Sequence, residues 1–162
     1  MKTAYVYPGT FSPPTYGHFN IAWLAAKIFP EVTIICSANP NKKDVWFEPE
    51  KCRELWKTYK LPKNVKVMTF SDFLKLGVKG KDIVMIRGLR NGCDYDSEKQ
   101  VVFFNKEKYG IGKFFYIFGR KKYKKVSSSR ARDAASNFDL RTLNKLVSPP
   151  VAYALQKRLI CE

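Results

Sequence analysis

Tyr7-Pro8-Gly9-Thr10-Phe11-Ser12-Pro13-Pro14-Thr15-Tyr16-Gly17-His18 is the stretch on which the fold of this chain turns. Upstream of it, Ala4, Tyr5, Val6 and Tyr7 are apolar and β-prone, so residues 3–7 read as a short buried strand. Pro8-Gly9-Thr10 and Pro13-Pro14 then forbid regular structure. From His18 onward Ile21, Leu24, Ala25 and Ile28 share one helical face, and Pro30 stops the run. A strand therefore hands over to a helix here. The start of a helix carries unpaired N–H groups and a partial positive charge, which suits phosphate. The only histidine of the chain, His18, sits at that start. This placement points to phosphate chemistry rather than core packing.

The same alternation continues outward. Val32–Cys36 is a second β-rich run, and Asn39-Pro40-Asn41-Lys42-Lys43 is a polar loop. Glu48-Pro49-Glu50 suits a helix start, with Cys52, Leu55, Trp56 and Tyr59 as its apolar face. Val65–Phe70 reads as a third strand, with Ser71-Asp72 as the cap of a short helix carrying Phe73 and Leu74. Ile83–Ile86 is a fourth strand that ends in Arg87-Gly88-Leu89-Arg90, followed by a helix around Tyr95–Tyr109. Phe114–Phe118 is a fifth strand. Ser127-Ser128-Ser129 opens another helix, because serine caps helices well. Two short helices broken at Pro149-Pro150 complete the chain.

Apolar strands alternating with helices imply an α/β fold: a Rossmann-like single domain over residues 1–162, with a five-stranded parallel sheet, helices on both faces and a helical C-terminal segment from about 138. In such folds ligands bind beyond the carboxyl ends of the strands. Four polar groups follow strand ends: Gly9–His18, Asn39–Lys43, Arg87–Arg90 and Arg120–Ser129. Their convergence on one edge is the expectation with most consequence for function.

Composition narrows the class. The 162 residues are 45% hydrophobic and 15% aromatic, a globular balance for one domain. No apolar run approaches the roughly 20 residues a membrane helix needs. The N-terminus shows no signal-peptide core, so a cytoplasmic location is expected. Cys36, Cys52, Cys93 and Cys161 form no Cys-x-x-Cys pair, which argues against zinc and for ordinary reduced thiols. With 30 Lys+Arg against 14 Asp+Glu, the net charge is +16. That suits polyanions, whether nucleic acid or small molecules, but no nucleic-acid-binding motif accompanies the charge.

Each polar group has chemistry to offer. Gly9 lets the backbone approach a ligand, Thr10 adds a hydroxyl, and Gly17 clears space beside His18. Lys42 is a mobile point charge, whereas Arg87 and Arg90 present fixed forks to phosphate oxygens. Ser127, Ser128 and Ser129 supply hydroxyls and N–H groups at a helix start.

These residues resemble a known family. Thr15-Tyr16-Gly17-His18 matches the [T/H]-x-G-H signature of the nucleotidylyltransferase superfamily, and Ser127-Ser128-Ser129 fits its second signature. The wider pattern is similar to bacterial-type phosphopantetheine adenylyltransferases. It comprises Tyr7–Phe11 with Pro13, Pro40–Lys43, Phe70-Ser71-Asp72, Ile86–Arg90, and Asp94 with Glu98, Gln100 and Asn105. The likeness runs from residue 1 to about 133.

The resemblance implies that the phosphate of 4′-phosphopantetheine attacks the α-phosphorus of ATP, giving dephospho-coenzyme A and pyrophosphate. It gives His18 and Thr10 the reacting phosphate, and Lys42 the incoming one, with Arg87 beside it. Arg90 and Ser127–Ser129 take the β- and γ-phosphates. Gly9, Phe11, Gly17, Gly88 and Glu98 face the nucleotide, while Phe73, Leu74 and Asn105 line the pantetheine arm. It further implies Mg2+ bound mainly through ATP and water, a hexamer, and no dedicated protein metal site.

The chain also departs from the family pattern. Ser12 stands where the family usually has aspartate, and Tyr123 where it often has tryptophan. Arg132 falls where relatives acting on nicotinamide mononucleotide keep arginine. The rival readings are an adenylyltransferase for such another acceptor, or a basic nucleic-acid-binding protein on the same fold.

Overall fold

A computed structural model of the chain describes residues 3–39, 43–77, 82–90 and 94–161, with backbone only for 94–97. Lys42 and Cys93 lie outside the described residues. Five strands, β1 (Thr3–Gly9), β2 (Val32–Cys36), β3 (Val65–Thr69), β4 (Asp82–Leu89) and β5 (Lys113–Phe118), form one sheet in the order β3-β2-β1-β4-β5. All four pairings are parallel. The helices are α1 (Tyr16–Ile28), α2 (Pro49–Trp56), α3 (Phe70–Lys75), α4 (Asp94–Tyr109), α5 (Ser128–Ser136), α6 (Leu140–Leu146) and α7 (Pro149–Cys161). A single 3-10 turn, Lys121–Tyr123, follows β5.

Strand alternation sorts the core into two layers. Tyr7, Ile34, Cys36, Ile86 and Ile117 point to one face, against residues of α1, α2, α5, α6 and α7. Val6, Ile35 and Met85 point to the other, where Phe73 of α3 meets them. A parallel sheet needs cover on both faces because neither can face water. The strand order reverses between β1 and β4, and the first crevice for a ligand opens at that switch point.

Local boundaries follow the chemistry of the ends. Thr15 caps α1, which therefore opens at Tyr16, two residues before His18. Phe29, extended ahead of Pro30, ends it, since proline disfavours a helical residue before it. Pro49 and Pro149 open α2 and α7, where a missing N–H costs nothing. Two boundaries differ from the expectation. The cap of α3 is Thr69, whose side chain accepts from the Asp72 N–H, so β3 stops there and Phe70 is already helical. The fourth strand runs on through Leu89, so Arg87 and Gly88 pair with Tyr116 and Ile117 inside the sheet rather than beyond it. Threonine suits both a strand end and a cap, and that double aptitude hides the first boundary in the sequence.

Gly88 is dictated by close packing. A Cβ there would lie 2.8 Å from Cγ1 of Ile21, a buried, β-branched side chain with little freedom to move. Gly88→Ala is expected to lower the unfolding free energy by about 1–3 kcal/mol in urea denaturation, the usual cost of overpacking.

Candidate active site

A cavity of about 530 Å³ opens beyond the carboxyl ends of β1, β4 and β5. Three of the four expected polar groups line it directly, and the Asn39–Lys43 loop contributes Lys43. The starts of α1 and α5 both border it, so two partial positive charges face the same space. The N–H groups of Tyr16 and Gly17, and of Ser128 and Ser129, occupy first-turn positions without an intrahelical acceptor.

At the end of β1, a Cβ on Gly9 would meet the Phe11 ring at 2.7 Å, so glycine is needed where that ring lies over the strand. Phe11 is buried with φ 46°, a left-handed conformation costly for an aromatic residue. Edge contacts hold it there, at 5.2 Å to Tyr7, 5.1 Å to His18 and 5.2 Å to Trp56. Phe11 thereby props the imidazole of His18 at the cavity wall.

His18 is also fixed from its own backbone. Its N–H donates to Thr15 Oγ1 at 3.4 Å, while the Thr15 N–H donates to His18 Nδ1 at 3.1 Å. A backbone N–H can only donate, so Nδ1 is an acceptor and the neutral ring carries its proton on Nε2. His18 is thus set as a hydrogen-bond donor through Nε2. Thr15, whose hydroxyl also lies 3.1 Å from Nδ1, is the orienting residue that the motif alone does not reveal.

Arg87 and Glu98 form a two-pronged pair, Nε to Oε2 at 2.8 Å and Nη2 to Oε1 at 2.7 Å. Arg87 also donates to the Pro8 carbonyl at 3.5 Å. Burial works to lower the Arg87 pKa, but the hydrogen bonds and charge of Glu98 outweigh it and hold the value above the ordinary one. The two side chains expected to face different substrates therefore hold each other between β4 and α4. Burial likewise pushes the nearby Tyr7 phenol well above its ordinary value, against the pull of Arg87 and Arg90, so Tyr7 stays neutral.

The serine run divides its labour. Ser127 Oγ caps α5 by accepting from the Arg130 N–H at 3.2 Å, and Ser128 Oγ donates to the Pro13 carbonyl at 2.8 Å. Arg132 donates to the Ser12 carbonyl at 2.7 Å and reaches Ser129 Oγ at 3.4 Å. All three hydroxyls are thus engaged within the wall, and the backbone N–H groups are what the helix start offers a ligand.

Thr10, Gly17, Gly88 and Arg90 line the cavity as expected. Phe73, Leu74 and Asn105 do not line it. Phe73 is spent in the core on the far face, Leu74 is exposed, and the Asn105 amide donates to the Val101 carbonyl of its own helix at 2.8 Å. Nor do they line a second cavity of about 260 Å³, which adjoins at Thr10 and is bounded by Ser37, Ala38, Val45 and Phe47.

The expected Arg120–Ser129 group reaches the site through its basic cluster as well as its serines. Arg120, Tyr123 and Lys124 line the main cavity, so part of that cluster belongs to the site rather than to a solvated face. The Arg120 N–H is anchored to Asn20 Oδ1 at 2.8 Å, and its guanidinium lies over Trp23. The cavity wall carries the cations Lys43, Arg87, Arg90, Arg120, Lys124 and Arg132 against the carboxylates Asp44 and Glu98. Among the described residues no cluster of three His, Cys, Asp or Glu side chains is placed to hold a metal. Burial pushes the Cys36 and Cys52 thiols up, Cys52 to about 12, so neither is a nucleophile at neutral pH.

A switch-point cavity with two helix starts and this surplus of cations is built for a nucleotide's phosphates. The model of the Cytidylyltransferase-like family matches residues 6–134 of the chain. The phosphopantetheine adenylyltransferase of Mannheimia succiniciproducens is 32% identical over 159 residues, covering 98% of this chain and 99% of its own. The enzyme of the same name from Aquifex aeolicus is 32% identical over 162 residues, 99% of each chain. That of Buchnera aphidicola from Acyrthosiphon pisum (strain Tuc7) is 38% identical over 136 residues, 83% of this chain and 82% of its own. The chain belongs to the Cytidylyltransferase-like family and, within it, to the phosphopantetheine adenylyltransferases. Among solved structures, Plasmodium falciparum nicotinic acid mononucleotide adenylyltransferase complexed with NaAD matches with TM-score 0.69 and 18% identity over 97% of this chain and 96% of that one, a likeness of fold alone.

The Arg87–Glu98 pair yields a stability test. Glu98→Gln leaves the guanidinium of a mostly buried arginine without its counter-charge. It is expected to cost about 2–4 kcal/mol in chemical denaturation, with Arg87→Met in the same chain recovering a large part.

Proposed function

We propose that the protein transfers the adenylyl group of ATP to 4′-phosphopantetheine, producing dephospho-coenzyme A and pyrophosphate. The observation that carries this reading is the convergence of the α1 and α5 starts, with His18, on one cation-rich cavity at the strand ends. The acceptor is the one named for the relatives that match over nearly the whole chain.

The chemistry needs little from the protein beyond placement and charge. The second pKa of a phosphate monoester is about 6, so the nucleophile arrives ionised and requires no general base. The orientation of His18 agrees with that, because its Nδ1 is committed to Thr15. In this reading Nε2 donates to the phosphate in transfer, together with Thr10, as charge moves toward the leaving group. Arg90 and the N–H groups of the α5 start receive the β- and γ-phosphates. Glu98, held by Arg87, borders the nucleotide. Lys42 holds the incoming phosphate, and the cavity adjoining at Thr10 gives the acceptor room. Departing pyrophosphate is polyanionic, and Arg120 and Lys124 at the cavity wall neutralise part of its charge.

Magnesium fits as the companion of ATP. The described cavity wall offers Asp44 and Glu98 as carboxylates, with Glu98 already bound by Arg87, so the ion's ligands come mainly from phosphate oxygens and water. A homo-hexamer working in the cytoplasm belongs to the same reading. No helix among the described residues is long and apolar enough to cross a membrane.

The decisive assay incubates the protein with ATP, magnesium and 4′-phosphopantetheine and weighs the products. Dephospho-coenzyme A is expected, and its absence, or a product formed only from nicotinamide mononucleotide, overturns the proposal. His18→Ala is expected to lower kcat by about 10²–10³-fold, the scale for one transition-state donor, while thermal unfolding moves by only a few degrees.

A further inference from the structure

The segment from Lys43 to Pro49 is a partition. Lys43 and Asp44 line the main cavity, whereas Val45, Phe47, Glu48 and Pro49 line the adjoining one. No regular structure supports it until α2 begins at Pro49. A wall made of loop keeps its place only if its peptide groups are tied to something rigid.

Two ties meet at Trp46. From one side, Ser12 Oγ accepts the N–H groups of Trp46, at 2.9 Å, and of Phe47, at 2.8 Å. Ser12 is buried within the β1–α1 turn, so this anchor is fixed to the site itself. From the other side comes a residue far away in the chain. Arg158, near the end of α7, donates through Nη1 to the Trp46 carbonyl, and its guanidinium lies 5.8 Å from the centre of the Trp46 ring. The helix that carries Arg158 is itself packed into the main core through Val151, Ala152 and Leu155. Arg158 lines neither cavity.

We infer that Arg158 is a positioning residue for the acceptor side of the reaction, holding the Lys43–Pro49 partition in register through the backbone of Trp46. The C-terminal helix thereby enters the function of a site built entirely from earlier residues. Arginine suits the task because its guanidinium is always charged, donates in a fixed plane and lies flat over an indole. The inference rests on the adenylyltransferase reading for its kinetic consequence. ATP phosphates meet the α5 wall, whereas the acceptor meets the partition that Arg158 holds, so loss of Arg158 separates the two substrates.

The test is steady-state kinetics of Arg158→Met and Arg158→Lys beside wild type, with amide hydrogen exchange on the same samples. Arg158→Met is expected to raise KM for 4′-phosphopantetheine about tenfold, the scale of one charge-assisted hydrogen bond, and to leave KM for ATP within about twofold. Exchange at Trp46 and Phe47 is expected to quicken while the α5 amides stay as protected as in wild type. Arg158→Lys keeps a cationic donor and is expected to recover part of both effects. An unchanged acceptor KM in folded Arg158→Met, an equal rise in both KM values, or unaltered exchange at Trp46 and Phe47 overturns the inference. If Arg158→Met does not fold, the same split is read in Arg158→Lys and in Ser12→Ala, which releases the opposite tie. Wild type inactive with both substrates refutes the adenylyltransferase reading instead, and the exchange measurement still decides whether Arg158 holds the partition.

Discussion

Residues 11–15, the turn between β1 and α1, are buried from end to end, and a buried turn has to find a partner for its peptide groups. The Ser12 carbonyl is met by Arg132, that of Pro13 by Ser128, and that of Pro14 by the Tyr59 hydroxyl at 2.9 Å. Ser12 Oγ takes two N–H groups of the partition loop, and Thr15 binds His18 at both ends of the capping box. Arg132 and Ser128 come from α5, and the other partners from three further segments. Satisfying this one turn therefore draws α5, the loop before α2, the segment just after α2 and the start of α1 to a common point, and the cavity is the space left in front of it. The two prolines at 13 and 14 remove donors that would otherwise need acceptors there.

The C-terminal segment joins this arrangement by the same logic. The Tyr59 hydroxyl that serves Pro14 also accepts the Ser148 N–H at 3.3 Å, just before α7 begins. Burial raises the Tyr59 pKa well above its ordinary value, so the hydroxyl keeps the proton that it donates. Helices that carry no cavity residue are thus bonded to the turn that shapes the cavity. Charge is distributed on a similar plan. The buried Glu98 is matched by Arg87, while the cations of the wall outnumber its carboxylates, which suits polyanions. A site of this polarity attracts phosphates before any specific contact forms.

Much of the site was legible in residues 7–18 and 127–129, because the signals there are local. A glycine beside an aromatic and a serine cap act over three or four residues, and periodicity marks the strand before and the helix after. The convergence of strand ends followed from strand–helix alternation with parallel pairing, a rule that needs no coordinates. The expected site residues that line neither cavity are of a different kind. Phe73 was read toward the acceptor, but an aromatic ring at that register of α3 faces Val6, Ile35 and Met85 and is consumed by the core. Asn105 was read as a ligand contact, but a mid-helix amide can turn back to its own carbonyls, as it does to Val101. Within the Arg120–Lys125 run the sequence did not show which members line the cavity, because a run of lysines carries no mark of which one faces inward.

By itself the sequence determined the order of strands and helices, the place of His18 at a helix start, and the serine start of α5, since each is settled by neighbours along the chain. Tertiary structure decided which polar groups answer one another: Arg87 to Glu98, Ser12 to Trp46, Phe47 and Arg132, and Arg158 to the Trp46 carbonyl. These contacts join residues separated by 11 to 120 positions. They exist only after the sheet order brings β4 beside β1 and packs α5 and α7 against one face. No local pattern encodes such partners, because the requirement that creates them, that a buried polar group be satisfied, arises only when burial does.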